Sequence, residues 1–528
     1  MPTTKESRFH KIYLAVIFFA IGYAILLSIG LSRMSMQWDE VNHLNGGLLL
    51  IRGELWQYAL LNSFYPPAFN IVTAAYFALA GASLYVGRLV AVTFSALGVI
   101  VVFHLAKEMY GSKTACLSVL LFAVMPGIVA LSRVAMIETM LIFMFSLSML
   151  FLFRWLQNHK ERDKILTIAT FAIGVAVKYQ TIAVIPIVAI MSIFLLRKSS
   201  YMKATISQFV HSKKVYLGII LTASVALAIY ELYSLGFLSD WMYAIQEGNA
   251  AQSFYSTRFP TPIFYLIEMT WPYNDTHPIS PILYVLSLIG VGLLAYRRKP
   301  QDKFILVWLF TVYVVFTLIP NKQWRYITML FPALAISAAE LLATAYGKAR
   351  KIWQTAKHSP NRKRLTRMAT ALLIVFLATG VFYSSVDAYN WATRNQTPLQ
   401  LEEATTRINH TLNGVGSVAV LCPQNSLNND MVWFYLNNKK QSQINVWQYP
   451  GLAVDTFTPQ FNATELINLC QKNNTKTLIL YEGQQTTKYF NSNLTEQIVY
   501  NALQDSGRFN LSAIFGTKPN RIIILDFK

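Results

Sequence analysis

Asp39 and Glu40 stand in the stretch Met36-Gln-Trp-Asp-Glu-Val-Asn-His43, directly after an apolar run long enough to cross a bilayer. In a helix Asp39 and His43 fall four residues apart and share a face, so one carboxylate and one imidazole are presented together. A carboxylate so placed can take a proton from an incoming hydroxyl. The same acid pair also complements the positive end of a helix dipole, worth under about 1 kcal/mol at an exposed site. Other polar groups recur at the ends of apolar runs: Tyr65 before Pro66-Pro67, Arg88, Arg133, Glu138, Lys178, His277, and Arg325 and Tyr326 in Lys322-Gln-Trp-Arg-Tyr326. Taken singly, Arg88 and Lys178 can snorkel to the interface, Trp324 and Tyr326 can belong to an aromatic belt, and Pro66-Pro67 can start a helix. Glu138 is different: it lies inside an apolar run, where an unpaired carboxylate costs roughly 2–3 kcal/mol and marks a candidate site. Arg133 is its expected partner.

These residues need a scaffold, and composition says which. The chain has 528 residues, 54% hydrophobic and 13% charged, with mean hydropathy +0.39, a balance that implies many membrane spans. The net charge of +20 sits in short connections between apolar runs, as topology requires, and this excludes nucleic acid as a partner. The runs predict roughly eleven spanning helices of about 20 residues each. They centre on 12–32, 84–106, 114–131, 134–153, 165–178, 181–196, 215–235, 279–296, 304–320, 326–346 and 368–387. Alternate connections carry the Lys and Arg clusters, which places the N-terminus in the cytoplasm of a multi-pass plasma-membrane protein. The N-x-S/T patterns at Asn274, Asn395, Asn409, Asn462, Asn473, Asn493 and Asn510 all fall on the opposite side.

The predicted fold is a polytopic α-helical membrane domain over residues 1–390 followed by a small extracytoplasmic α/β domain over 391–528. Within the latter Val418–Leu421, Thr477–Tyr481 and Arg521–Asp526 are strand-like and Thr464–Gln471 is helix-like. Cys422 and Cys470 lie in it, with nothing in their spacing to say whether they pair. In the long outer loop 33–83, Asp39 to Arg52 reads as an amphipathic helix closed by Gly53.

The acid pair, Tyr65-Pro-Pro, "GASLYVGRLVAVTFSALGVIVVFHLAKEMYG", "MPGIVALSRVAMIETMLIF", "GVAVKYQTIAVIP" and "NKQWRYITMLFPALAIS" together resemble the GT-C-type glycosyltransferases. Within these they resemble most the dolichyl-phosphate-mannose protein mannosyltransferase and aminoarabinose transferase group. The resemblance covers most of residues 10–346. It implies a polyprenyl- or dolichyl-phosphate-linked sugar as donor and a protein, lipid or glycan hydroxyl as acceptor. Asp39 is then the family-matched base, with Glu40 beside it raising its basicity by like-charge repulsion. Arg325 is the foremost phosphate clamp, and Arg88, Arg133 and Lys178 are further candidates. Glu138 matches the second acidic position, and His43, Tyr65, Tyr326 and His277 are expected to line the substrate. Where aminoarabinose transferases carry Glu-Lys before the proline, this chain has Phe64-Tyr65, which argues against aminoarabinose as the sugar.

No cofactor is expected to be required, since arginines can neutralise a single leaving phosphate. His43 and His277 could join Asp39 or Glu138 around a divalent metal, yet no paired spacing such as H-x-x-x-H is present. Two other classes compete. An oligosaccharyltransferase moving a whole glycan from a lipid pyrophosphate would call for paired acids such as D-x-D, which are missing. A transporter would place its ionisable groups near mid-membrane in two related halves, whereas these cluster at outer ends.

Overall fold

The computed structural model describes residues 4–61, 65–196, 254–272, 276–355, 360–393, 400–421, 427–439, 442–449, 462–482, 496–518 and 520–528. Its helices run α1 (Thr4–Ser28), α2 (Trp38–Arg52), α3 (Leu55–Leu61), α4 (Ala68–Ala80), α5 (Leu84–Tyr110), α6 (Ser112–Ala123), α7 (Pro126–Ser132), α8 (Glu138–Asn158), α9 (Glu161–Val177) and α10 (Val184–Leu196). After the short α11 (Phe264–Glu268) come α12 (Pro281–Arg297), α13 (Pro300–Leu318), α14 (Phe331–Thr355) and α15 (Pro360–Thr393). Among the described residues six helices are long and apolar enough to cross a membrane. The run expected as one span over 114–131 is two helices, α6 and α7, bent by 64°. Pro126 at the start of α7 explains the break, since a proline tolerates the first turn of a helix but not its interior. The span expected near 215–235 lies outside the described residues, as do Asn274, Asn395, Asn493 and Cys422. Cys470 is buried.

From Leu401 onward the chain builds an α/β unit: α16 (Leu401–Leu412), β1 (Val415–Leu421), α17 (Asn429–Asn437), β2 (Gln443–Tyr449), α18 (Ala463–Lys472), β3 (Thr475–Glu482), α19 (Glu496–Asp505), β4 (Phe509–Thr517) and β5 (Asn520–Phe527). The sheet order is β2-β1-β3-β5-β4, with β2, β1 and β3 parallel and β5 and β4 antiparallel. The three predicted strands are β1, β3 and β5, the central ones, whose continuous apolar runs are buried on both faces. The edge strands β2 and β4 escaped prediction because their sides alternate with Asn, Gln, Ser and Thr.

Helix α2 runs over the expected residues and ends at Gly53, whose φ of 74° is the left-handed cap that glycine adopts without strain. Two contacts hold it. At its start Glu40 and Arg88 are both fully buried and face each other in a two-pronged pair, Nε to Oε1 at 2.6 Å and Nη2 to Oε2 at 2.7 Å. Glu40 also accepts the backbone N–H of Ala135 and of Gln37, and Arg88 donates to the carbonyls of Leu31, Met34 and Ser35. At its end Arg52 donates to the carbonyls of Asn437 and Ser442 at 3.0 and 2.8 Å, while Asn45 reaches Asp430 O at 3.1 Å. Between them Leu44, Leu48 and Phe77 share one apolar cluster with Phe434, Val418 and Ile524 of the sheet unit. Helix α2 is thus a core element of two bodies at once.

Arg88→Met should therefore cost roughly 3–5 kcal/mol, because it strands a buried carboxylate. Adding Glu40→Gln should return only part of that loss, since the carbonyls of Leu31, Met34 and Ser35 stay unsatisfied. Thermal unfolding of the purified proteins in detergent measures both, and a single variant as stable as the parent would mean the pair carries no structural load. Arg52→Ala should leave the spans intact but loosen the sheet unit, read as faster amide exchange in α17 and β2.

Candidate functional site

The first turn of α2 places Asp39 beside the segment Trp324–Leu330, a 3-10 helix that leads into α14. Asp39 Oδ2 accepts from Arg325 Nη1 at 2.6 Å, and Arg325 Nε donates to Gln323 Oε1 at 2.7 Å. This pair is partly open, with Asp39 34% and Arg325 23% exposed, whereas the neighbouring Glu40 is sealed. Adjacent residues therefore do opposite work. Lys178, the cap at the end of α9, donates to Glu138 Oε1 at 3.0 Å. Its ammonium lies 5.6 Å from the centre of the Tyr326 ring, and the Arg325 guanidinium 5.8 Å from the same centre. Two acids and two bases so gather around one tyrosine, and their charges cancel.

His43 packs on Tyr65 and Phe69, with ring centres 4.8 and 5.2 Å away, and its Nδ1 lies 3.0 Å from Asn70 Oδ1. Burial holds the imidazole below its ordinary range, so it is neutral near pH 7. With the proton on Nδ1, its Nε2 is left as an acceptor. Burial likewise pushes the Tyr65 phenol up, aided by Asp39, so it stays a hydroxyl.

Several expectations are corrected here. Glu138 is the first residue of α8, where the helix dipole favours a carboxylate, and its partner is Lys178 in place of Arg133. Arg133 is spent on the carbonyls of Leu27 and Ile29 at 2.6 and 2.8 Å, and so shapes the end of the first span. Arg88, expected as a phosphate-clamp candidate, is fully buried and paired with Glu40, away from the Asp39–Arg325 rim. Glu40, expected beside Asp39 at the site, is instead fully buried in an ion pair with Arg88. His277 is held by Asp387 of α15 at 3.0 Å. Among the described residues no three His, Cys, Asp or Glu side chains form a metal-holding group.

Three residues emerge that pattern alone did not single out. Gln323, two positions before Arg325, fixes the guanidinium. Asn70 orients His43. Glu268 is buried behind the Arg325 segment, where it accepts from the backbone of Trp324, and burial pushes its carboxyl up to about 7. Asn70 stands three residues past Pro67 on α4, within reach of α2 only because Gly47 lets the two helices touch: a Cβ there would meet Thr73 at 2.7 Å. Below the cluster an apolar cavity of about 600 Å³ opens among Tyr265, Met269, Leu309, Ile327, Leu330 and Leu334. Ile327 and Leu330 belong to the same short segment as Arg325, so charged rim and apolar cavity share one wall.

Residues 65–230 match the family model described as dolichyl-phosphate-mannose-protein mannosyltransferase. That stretch takes in Tyr65, Glu138 and Lys178 but neither Asp39 nor Arg325. No curated protein matches the chain. Among solved structures, ArnT from Cupriavidus metallidurans bound to undecaprenyl phosphate is similar at 15% identity and TM-score 0.52, over 96% of this chain and 97% of that one. The Archaeoglobus fulgidus oligosaccharyltransferase tethered to an acceptor peptide is similar at 12% identity and TM-score 0.56, over 97% of this chain and 73% of that one. A complex of the archaeal oligosaccharyltransferase AglB with an inhibitory peptide and a dolichol-phosphate gives 13% and 0.52, over 97% and 74%. The chain is a multi-pass membrane protein with the fold of the GT-C-type glycosyltransferases.

Proposed function

We propose that this protein is an integral-membrane glycosyltransferase that moves a single sugar from a polyprenyl-phosphate donor to a hydroxyl acceptor, with Asp39 as base. The observation that carries this is the 2.6 Å contact between Asp39 and Arg325 at the rim of an apolar cavity. A donor of this class has an anionic head, a sugar beyond it and a long apolar tail. The cavity suits the tail, Arg325 and Lys178 suit the phosphate, and Asp39 and Glu138 suit the sugar and acceptor hydroxyls. The fold shared with proteins solved with undecaprenyl phosphate and dolichol-phosphate supports the same donor.

The chemistry follows from the pairing. An arriving phosphate competes for the Arg325 guanidinium and leaves the Asp39 carboxylate to the acceptor. The acceptor oxygen then bonds to the anomeric carbon as the bond from that carbon to the phosphate oxygen breaks, and the hydroxyl proton passes to Asp39. Arg325 and Lys178 meet the charge that builds on the leaving phosphate. Two cations for one phosphate make a metal dispensable in this scheme. Transfer of a whole glycan from a lipid pyrophosphate is the second reading, favoured by the TM-score of 0.56 to the Archaeoglobus enzyme. It fits less well with a cluster whose own charges already cancel.

Asp39→Asn keeps size but removes the base, so turnover should fall by roughly 10²–10⁴ with little change in donor KM. Arg325→Ala should weaken donor binding and turnover together, because the guanidinium meets the phosphate before and during the reaction. Steady-state assays with a series of polyprenyl-phosphate sugars separate the two, and full transfer by Asp39→Asn would remove it as base. The site is proposed to face the cell exterior. On that view a cysteine at Lys518 should react with an impermeant thiol reagent on whole cells and one at Lys348 should not; the reverse labelling would turn the site inward.

A further inference from the structure

Residues 341–386 contain eight Lys and Arg and no Asp or Glu. Elsewhere on the same membrane face the cations have carboxylates to meet. Arg297 pairs with Asp302 and Glu340 at 2.7 and 2.6 Å, Arg154 with Glu108 at 2.7 Å and Lys164 with Glu161 at 2.6 Å. Among the described residues, Arg350, Arg364 and Arg367 at the facing ends of α14 and α15 meet no carboxylate. This is also the face remote from Asp39, since Phe331 to Arg350 along α14 is about 28 Å at 1.5 Å per residue, the thickness of the hydrocarbon core.

Between those helix ends lies a cavity of about 420 Å³ lined by Tyr346, Arg350, Arg367, Thr370, Ala371 and Ile374. Two guanidinium-bearing residues, one from each helix, flank it, and the Lys113 ammonium stands 5.6 Å from the Tyr346 ring at its edge. One wall is apolar, and beyond it Leu372 and Val375 on α15 are 68% and 60% exposed, a surface suited to acyl chains. We propose that this cavity binds an anionic phospholipid, with the headgroup phosphate between Arg350 and Arg367 and the first methylenes of an acyl chain against Ala371 and Ile374. Guanidinium groups engage phosphate oxygens in pairs, and basic pockets between spans are where anionic headgroups gather. Orientation of the spans requires only the charge; a cavity with a charged and an apolar side accommodates a molecule with both.

The test uses the purified full chain in detergent, with phosphatidylglycerol or phosphatidylcholine added and retained lipid counted by native mass spectrometry. Two arginines at a membrane surface should favour the anionic lipid by about 30-fold. Arg350→Gln/Arg367→Gln should abolish that preference, while Lys348→Gln/Arg364→Gln, which removes equal charge outside the cavity, should keep it. Unfolding temperatures of both double variants check that each remains folded. Equal loss in the two variants would reduce the site to diffuse attraction. Displacement of the lipid by millimolar sodium phosphate would make it a free-phosphate site, and equal retention of both lipids by the parent protein would overturn it without recourse to any variant.

Discussion

A single buried ion pair sets the architecture around α2. Glu40 and Arg88 have no solvent to fall back on, so every lone pair and proton must find a protein partner. They do so by collecting the chain around them: the carbonyls of Leu31, Met34 and Ser35, and the amides of Gln37 and Ala135. Those five groups come from the end of the first span, the start of α2 and the loop before α8. With them tied to one point, Asp39 has little freedom about where it can be, and Glu138 follows Ala135 by three residues. A pair of this kind is weak evidence for stability but strong evidence for geometry, because its directional bonds tolerate few arrangements.

The site itself has the opposite character. Asp39 and Arg325 are joined by one bond at a partly open rim, so a competing anion can separate them at the cost of a single contact. Glu138 and Lys178 lie deeper, 1% and 12% exposed, and keep each other charged in a place where either alone would be costly. Preorganisation below and exchangeability above is what the proposed group transfer would require, since its donor and acceptor must both enter and leave.

Much of this was legible in the sequence. Span positions follow from apolar runs, and the acid-bearing helix from its periodicity and from Gly53. Asp39, Arg325, Glu138, Lys178, Tyr65, His43 and Tyr326 do converge as a group. What the sequence could not reveal is which polar residue faces which. Arg133 is five residues from Glu138, yet the bend at Pro126 and the turn before α8 send its side chain back to Leu27, while Lys178 arrives from forty positions away. Asp39 and Glu40 are adjacent acids of like charge, and only the register of α2 decides that one is sealed and the other open. Nor does hydropathy mark β2 and β4, whose edge positions need few apolar side chains.

The contact between α2 and α17 joins residues that are 385 positions apart. At translation rates of about 5–20 residues per second, roughly 20–80 s separate the synthesis of Asn45 from that of its partner Asp430. During that interval the face of α2 that will meet Phe434 has no cover, and every intervening span must be inserted before the cover can be threaded to the same side. The helix carrying Asp39 is among the first parts of the protein to be made and among the last to be clamped. Completion of that end is thereby tied to insertion of the last span, and a chain stalled partway would hold Asp39 on a helix still free to turn.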